Sequence, residues 1–208
     1  MGTKRRGKNM KIDKFIYFYP EKPKLIHKDQ GLFNEVNESD SWVAERKYNG
    51  SRLQLHCLNG KFGFWNRHNA EFAYLPSRET LSALRAGIPD KGYFLFDGEL
   101  RDRKVKGVRD QIMLYDVFIW KNELLVGNPF WYRRNFLEGC FKANDRPVGI
   151  TEQFKGDFKE TFEQVIKDEE IEGLVLKNTR GILDLGRTGA KNSEWMLKVR
   201  RPNGSYRF

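Results

Sequence analysis

Ala44-Glu45-Arg46-Lys47-Tyr48-Asn49-Gly50-Ser51-Arg52 sets one lysine among charged neighbours, in what the sequence predicts to be a tight turn leading into a strand. A lysine amine is nucleophilic only once it has lost its proton. Its free pKa is about 10.4, so nearby positive charge has to lower that value. Arg46 and Arg52 are the cations offered for this. Gly50, three residues after Lys47, lets the backbone approach a ligand closely or take φ > 0. A solvated turn opening a hairpin accounts for the same residues, so the significance of the stretch depends on what surrounds it.

The chain has 208 residues, 39% of them hydrophobic, enough for one large domain with a core of its own. Its net charge of +10 favours a polyanionic partner, nucleic acid before any other, because cations that neutralise phosphates gain affinity by releasing counterions. Neither a long apolar run nor a basic amphipathic helix stands out, so no membrane association is expected. Cys57 and Cys140 make neither a disulfide framework nor a zinc cluster, and no apolar signal segment opens the chain. A reducing, cytoplasmic setting is therefore expected, with a nucleoid or a viral factory also compatible.

Residues 1–12 are basic, polar and aperiodic and predict a mobile tail, with 13–208 as the folded domain. Residues 14–19 are aromatic and strand-like, and Pro20 and Pro23 are expected to break them into a loop. After Arg52, Leu53, Leu55 and Cys57 alternate with Gln54 and His56 as far as Asn59-Gly60, the signal of a two-residue hairpin turn. That turn pairs Leu58 with Lys61 and Leu55 with Phe64 and, carried on, sets Arg52 opposite Arg67, a cationic pair suited to a phosphate. Residues 76–87 predict a helix with Leu81 and Leu84 inward. Residues 93–100 predict a strand ending in Asp97 and Glu99 on one face, carboxylates suited to Mg²⁺ or a ribose hydroxyl.

Gln111–Trp120 is apolar enough for a strand buried on both faces, and Asp116 within it requires a partner. Helices are expected over 129–144, which holds Arg133-Arg134, and after the capping box at Asp157-Phe158-Lys159-Glu160. Residues 171–177 predict a strand with Glu172, Leu174 and Leu176 on one face and Gly173, Val175 and Lys177 on the other. A glycine-rich polar loop over 180–193 leads to a last strand, 195–200, whose Met196, Lys198 and Arg200 point one way.

Lys47-Tyr48-Asn49-Gly50-Ser51-Arg52, then Arg67, Phe96-Asp97-Gly98-Glu99, Tyr115-Asp116, Glu172-Gly173-Leu174-Val175-Leu176-Lys177 and Lys198-Val199-Arg200 form an ordered set. It resembles the motifs of the covalent nucleotidyltransferases, and within them most closely the adenylation domain of ATP-dependent DNA ligases. The resemblance spans residues 42–200. It implies an α+β, ATP-grasp-like nucleotidyltransferase core, with antiparallel sheets and flanking helices enclosing a nucleotide cleft; the family normally continues into an OB-fold, for which no room is expected before Phe208.

The same resemblance implies a role for each motif residue. Lys47 attacks the α-phosphorus of ATP, pyrophosphate leaves, and AMP stays on the lysine. Glu45 contacts the adenine edge and Tyr115 stacks on its face. Arg52 and Arg67 bind the nucleotide sugar or the 5'-phosphate of a nicked strand. Glu99 and Glu172 serve the ribose and a divalent metal, Mg²⁺ or Mn²⁺. Lys177, Lys198 and Arg200 contact phosphate as charge builds on it. AMP then passes to the 5'-phosphate of nicked duplex DNA, and the 3'-hydroxyl seals the strand, with the protein acting as a monomer.

Two residues depart from the family pattern. Asn49 stands where aspartate is usual and Arg200 where a second lysine is usual, which keeps hydrogen bonding and phosphate contact with altered charge and geometry. RNA ligases share the lysine chemistry, so RNA is the competing substrate. In a different class, a basic nucleic-acid binder could keep the fold without the chemistry, against which stand the intact Lys47, Glu99, Glu172 and Lys198.

Overall fold

Asn59 and Gly60 turn the chain with φ of 48° and 76°, the left-handed pair that a tight hairpin requires. The strands on either side pair Leu58 with Lys61 and Leu55 with Phe64, the register that the turn predicts. A computed structural model describes residues 14–102, 104, 106–186 and 191–201, so the basic tail expected over 1–12 lies outside the described residues.

In chain order, β1 (Tyr19–Pro20), β2 (Lys22–Leu25) and α1 (Gly31–Asn37) precede β3 (Trp42–Tyr48), β4 (Ser51–Leu58) and β5 (Lys61–Asn66). Then come α2 (Arg78–Gly87), β6 (Tyr93–Arg101), β7 (Gln111–Trp120), β8 (Glu123–Leu124) and α3 (Phe130–Cys140). Last are β9 (Val148–Ile150), β10 (Gln153–Phe154), α4 (Phe158–Val165), β11 (Ile171–Asn178), β12 (Leu185–Gly186) and β13 (Asn192–Arg200).

The fold is α+β, built on two main sheets. One has five strands in the order β10-β3-β11-β13-β2; the other has six, β5-β4-β6-β7-β8 with β9 beside β7. Most pairings are antiparallel as expected, but β2 runs parallel to β13 and β9 parallel to β7. The chain passes from the first sheet to the second between β3 and β4, through Asn49 and Gly50. Lys47 therefore sits at the crossing, within a strand and not in the turn expected for it, because β3 stays paired with β11 as far as Tyr48.

Each sheet buries its outer face under helices. Leu174, Leu176, Leu197 and Val199 pack with Phe33 and Val36 of α1 and with Phe158 and Phe162 of α4. Each such aromatic contributes about 1.5–3 kcal/mol by leaving water. Asp157 starts α4 by accepting from the N–H groups of Lys159 and Glu160 at 2.9 and 3.0 Å, while Glu160 turns forward to accept from Gln164 instead of closing the box. On the other sheet Leu53, Leu55, Phe94 and Phe96 pack with Leu84 of α2 and Leu137 of α3. Leu81 is half-buried. The third helix ends at Cys140, short of the expected 144, because Phe141 turns extended and packs into the core.

Residues 19–25 depart from the expected loop. Pro20 lies in β1 and Pro23 in β2, and β2 is the edge of its sheet, where a missing N–H costs no ladder bond. Upstream, the chain covers the second face of β4. Phe18 exchanges hydrogen bonds with the Gln54 side chain, and Phe15 stacks on His56 with ring centroids 5.1 Å apart. This is why Gln54 and His56, the polar half of the β4 alternation, are buried.

Candidate active site

The floor of the cleft follows from strand register. Glu45 on β3 pairs with Val175 on β11, which pairs with Lys198 on β13; one step on, Lys47 pairs with Gly173 and Gly173 with Arg200. Directly paired residues share a face, so Glu45, Lys47, Lys198 and Arg200 point the same way. The opposite wall comes from Arg52, Asp97 and Glu99 on β4 and β6, Tyr115 and Asp116 on β7, and Arg67 just beyond β5. Together they enclose a cleft of about 970 Å³ that is lined by every residue given a role above: Glu45, Lys47, Arg52, Arg67, Glu99, Tyr115, Glu172, Lys177, Lys198 and Arg200.

One placement overturns the expected alternation. Glu172 lies in the cleft, with its carboxylate 2.5 Å from Lys47 Nζ and 3.5 Å from Arg200 Nε, although Leu174 and Leu176 face the core. The register of β11 slips between Ile171 and Gly173, and Gly173 takes φ of +149°. A β-bulge rotates Glu172 to the side shared by Val175 and Lys177. A Cβ on Gly173 would lie 2.0 Å from the Val199 carbonyl oxygen, so the bulge requires glycine.

The arginines expected to crowd Lys47 are each paired elsewhere. Arg46 meets Glu152 at 3.4 Å and lies over the Phe154 ring, while Arg52 forks onto Asp97 at 3.0 and 2.6 Å and donates to the Glu21 carbonyl. The strand β5 stops at Asn66, so Arg67 faces the cleft from a turn and is not paired with Arg52. The cations that gather at the site are Lys47, Lys198, Arg200 and Lys22. Burial first, then the repulsion of Arg200, Lys47 and Lys22, draws Lys198 below its usual range.

Glu99 is pushed up to about 7, chiefly by burial, with Glu172 adding repulsion while Lys47 and Arg52 oppose it. Gly50 allows this packing: a Cβ there would stand 2.6 Å from the Glu99 side chain. Asp116 finds the partner it needs in Arg133 of α3, which grips both its oxygens at 2.8 Å with neither side chain more than 5% exposed.

At the other end of the cleft Glu45 is buried, and three side chains surround its carboxylate. Lys177 Nζ is 2.7 Å from it, Gln153 donates at 3.0 Å and Arg134 stands at 3.5 Å. Lys177 also donates to the Tyr115 carbonyl at 2.9 Å and lies over the Tyr115 and Phe130 rings. Its ammonium is thus spent at the Glu45 end and not turned toward the Lys47 amine. Gln153 and Arg134 were not foreseen as site residues. The adjacent Arg133-Arg134 on a helix that buries one face is the signal that hints at them.

The family model described as "ATP dependent DNA ligase domain" matches residues 101–200. A "DNA ligase 4" from Phaeosphaeria nodorum is 26% identical over 205 residues, covering 77% of this chain and 20% of that protein. The chain therefore spans about a fifth of the length of the curated relatives it matches. Among solved structures, the ligase domain of M. tuberculosis LigD superposes with a TM-score of 0.61 at 16% identity, over 87% of this chain and 59% of that one. The ATP-dependent DNA ligase of bacteriophage T7, in a complex with ATP, gives 0.57 at 15%, over 86% and 68%. At such identities the structural likeness carries the fold. No helix among the described residues is long and apolar enough to cross a membrane. The chain is thus similar to the ATP-dependent DNA ligases, whose family model it matches over residues 101–200, and shares the fold of their solved relatives over most of its length.

Proposed function

We propose that this domain forms a lysine–AMP adduct at Lys47 from ATP, passes the AMP to the 5'-phosphate of nicked duplex DNA, and seals the strand when the 3'-hydroxyl attacks and AMP departs. The observation that carries this is the Lys47 amine, held 2.5 Å from Glu172 in a cleft it shares with Glu99, Lys198 and Arg200. In the first step Nζ gives up a proton, a nitrogen–phosphorus bond forms, and the phosphorus–oxygen bond to pyrophosphate breaks. Glu172 is the group positioned to take that proton.

Lys198 and Arg200 lie across the floor from Lys47, where negative charge builds on the phosphate. The base fits the other end, against Tyr115 and beside Glu45. There Lys177 serves by fixing the Glu45 carboxylate in place of a phosphate contact. Glu99 and Glu172 suit a hard divalent ion. They are close enough for one to raise the pKa of the other, and no group of three or more His, Cys, Asp or Glu stands ready among the described residues. Such an ion, Mg²⁺ or Mn²⁺, takes one or two carboxylates and completes its shell with water and substrate phosphates, whose charge it neutralises when bound.

A substrate panel tests the proposal. Purified protein with ATP and Mg²⁺ should seal nicked duplex DNA. Preferential sealing of nicked or single-stranded RNA would make it an RNA ligase, and retention of DNA without sealing would make it a binder.

A further inference from the structure

Lys22 is a cation fixed in place and left without a carboxylate. Its N–H donates to the Lys191 carbonyl at 2.7 Å, where β2 runs parallel to β13 and sets Lys22 beside Asn192. The residue before it is pinned on three sides. Glu21 accepts from Trp195 Nε1 at 2.7 Å and from Ser193 Oγ at 3.4 Å, and its carbonyl accepts from Arg52 at 3.2 Å. Farther back, Phe15 lies so close over Gly63 that a Cβ there would come within 2.4 Å of the ring. The segment that presents Lys22 is thus seated along its length, while the Lys22 side chain is exposed on the cleft wall and makes no ion pair among the described residues.

The sheet lays the charges out in sequence. Lys47 stands on β3, Lys198 and Arg200 two strands away on β13, and Lys22 on β2 beyond them. Neighbouring strands are about 4.8 Å apart, and Lys22 stands three residues before Leu25, the β2 partner of Lys198, so the cations run obliquely across the sheet, far enough to follow a polyphosphate leading away from the amine. Lys22 lies near enough to Lys198 to add to the repulsion on it. Cations gathered by the fold at such distances are relieved by a bound anion.

We propose that Lys22 is a further substrate-binding residue that holds the β- and γ-phosphates of the nucleotide, and with them the departing pyrophosphate. This rests on the adenylation chemistry proposed above. It predicts a contact that ATP makes and AMP lacks.

The test measures affinity for ATP and for AMP in the full chain carrying Lys47→Ala, which prevents turnover, with and without Lys22→Ala or Lys22→Arg. The expected result is about a tenfold loss of ATP affinity in Lys22→Ala, unchanged AMP affinity, and recovery of most of the loss in Lys22→Arg. Equal losses for both nucleotides, or none, overturn the proposal, as does a loss confined to nicked DNA, which would make Lys22 a backbone contact. ATP binding that depends on Lys22, together with a parent protein, Lys47 intact, that never forms lysine–AMP, would leave this proposal standing and overturn the covalent one. Failure to bind ATP at all overturns both.

Discussion

Lys47 and Glu172 meet at 2.5 Å because β11 bulges at Gly173. Without the bulge, strict alternation would turn Glu172 toward the Leu174 and Leu176 side of the sheet, away from the lysine. The pair thus depends on one backbone conformation that a residue with a side chain rarely adopts.

Gly173→Ala tests that dependence. The added methyl meets the Val199 carbonyl oxygen, nominally at 2.0 Å, with φ near +149°. We expect a loss of about 2 kcal/mol or more in denaturant unfolding, together with at least a tenfold loss of lysine–AMP formation. A variant with native stability and activity would show that the bulge is dispensable.

Arg133 and Asp116 form a buried pair, so removing one partner strands the other. Arg133→Met should cost about 3–5 kcal/mol, and adding Asp116→Leu should recover at least half of it. Urea unfolding of the two variants measures both effects. A single variant no less stable than the parent would mean that Asp116 finds other partners.

His56 predicts an acid-sensitive contribution to stability. Burial against Phe15 and Tyr93 draws its pKa from 6.5 down to about 3. The unfolded chain then binds the extra proton between pH 6.5 and 3, so the contribution is complete above pH 6.5. It falls as pH drops toward 3, by up to about 1.4 kcal/mol per pH unit. Urea midpoints at pH 7.5 and 5 should differ more in the parent than in His56→Gln. Equal differences would place the titration elsewhere.

Periodicity and turn chemistry made much of this molecule legible in advance. Asn59-Gly60 set the hairpin register to the residue, and the apolar run of β7 implied the burial that forces Asp116 to seek an ion pair. Pairing within strands also put Asp97 and Glu99 on the cleft side and aligned Met196, Lys198 and Arg200.

What escaped notice depends on contacts distant in sequence. Alternation cannot see the slip at Gly173, although a glycine inside a strand pattern is the usual sign of a bulge. The prolines of β1 and β2 suggest a loop until β13 supplies an edge to lie on. Arg46 and Arg52 resemble free cations until Glu152 and Asp97 are brought beside them by folding. Lys177 is expected from its sequence context to contact phosphate, yet its ammonium is taken by Glu45 because β3 and β11 are neighbours.

The intact mass of the protein after incubation with ATP and Mg²⁺ tests the central claim most directly. The account predicts a gain of one AMP per chain in the parent protein, mapped to Lys47 and absent in Lys47→Ala. An unchanged parent mass, or an adduct that persists in Lys47→Ala, would contradict it.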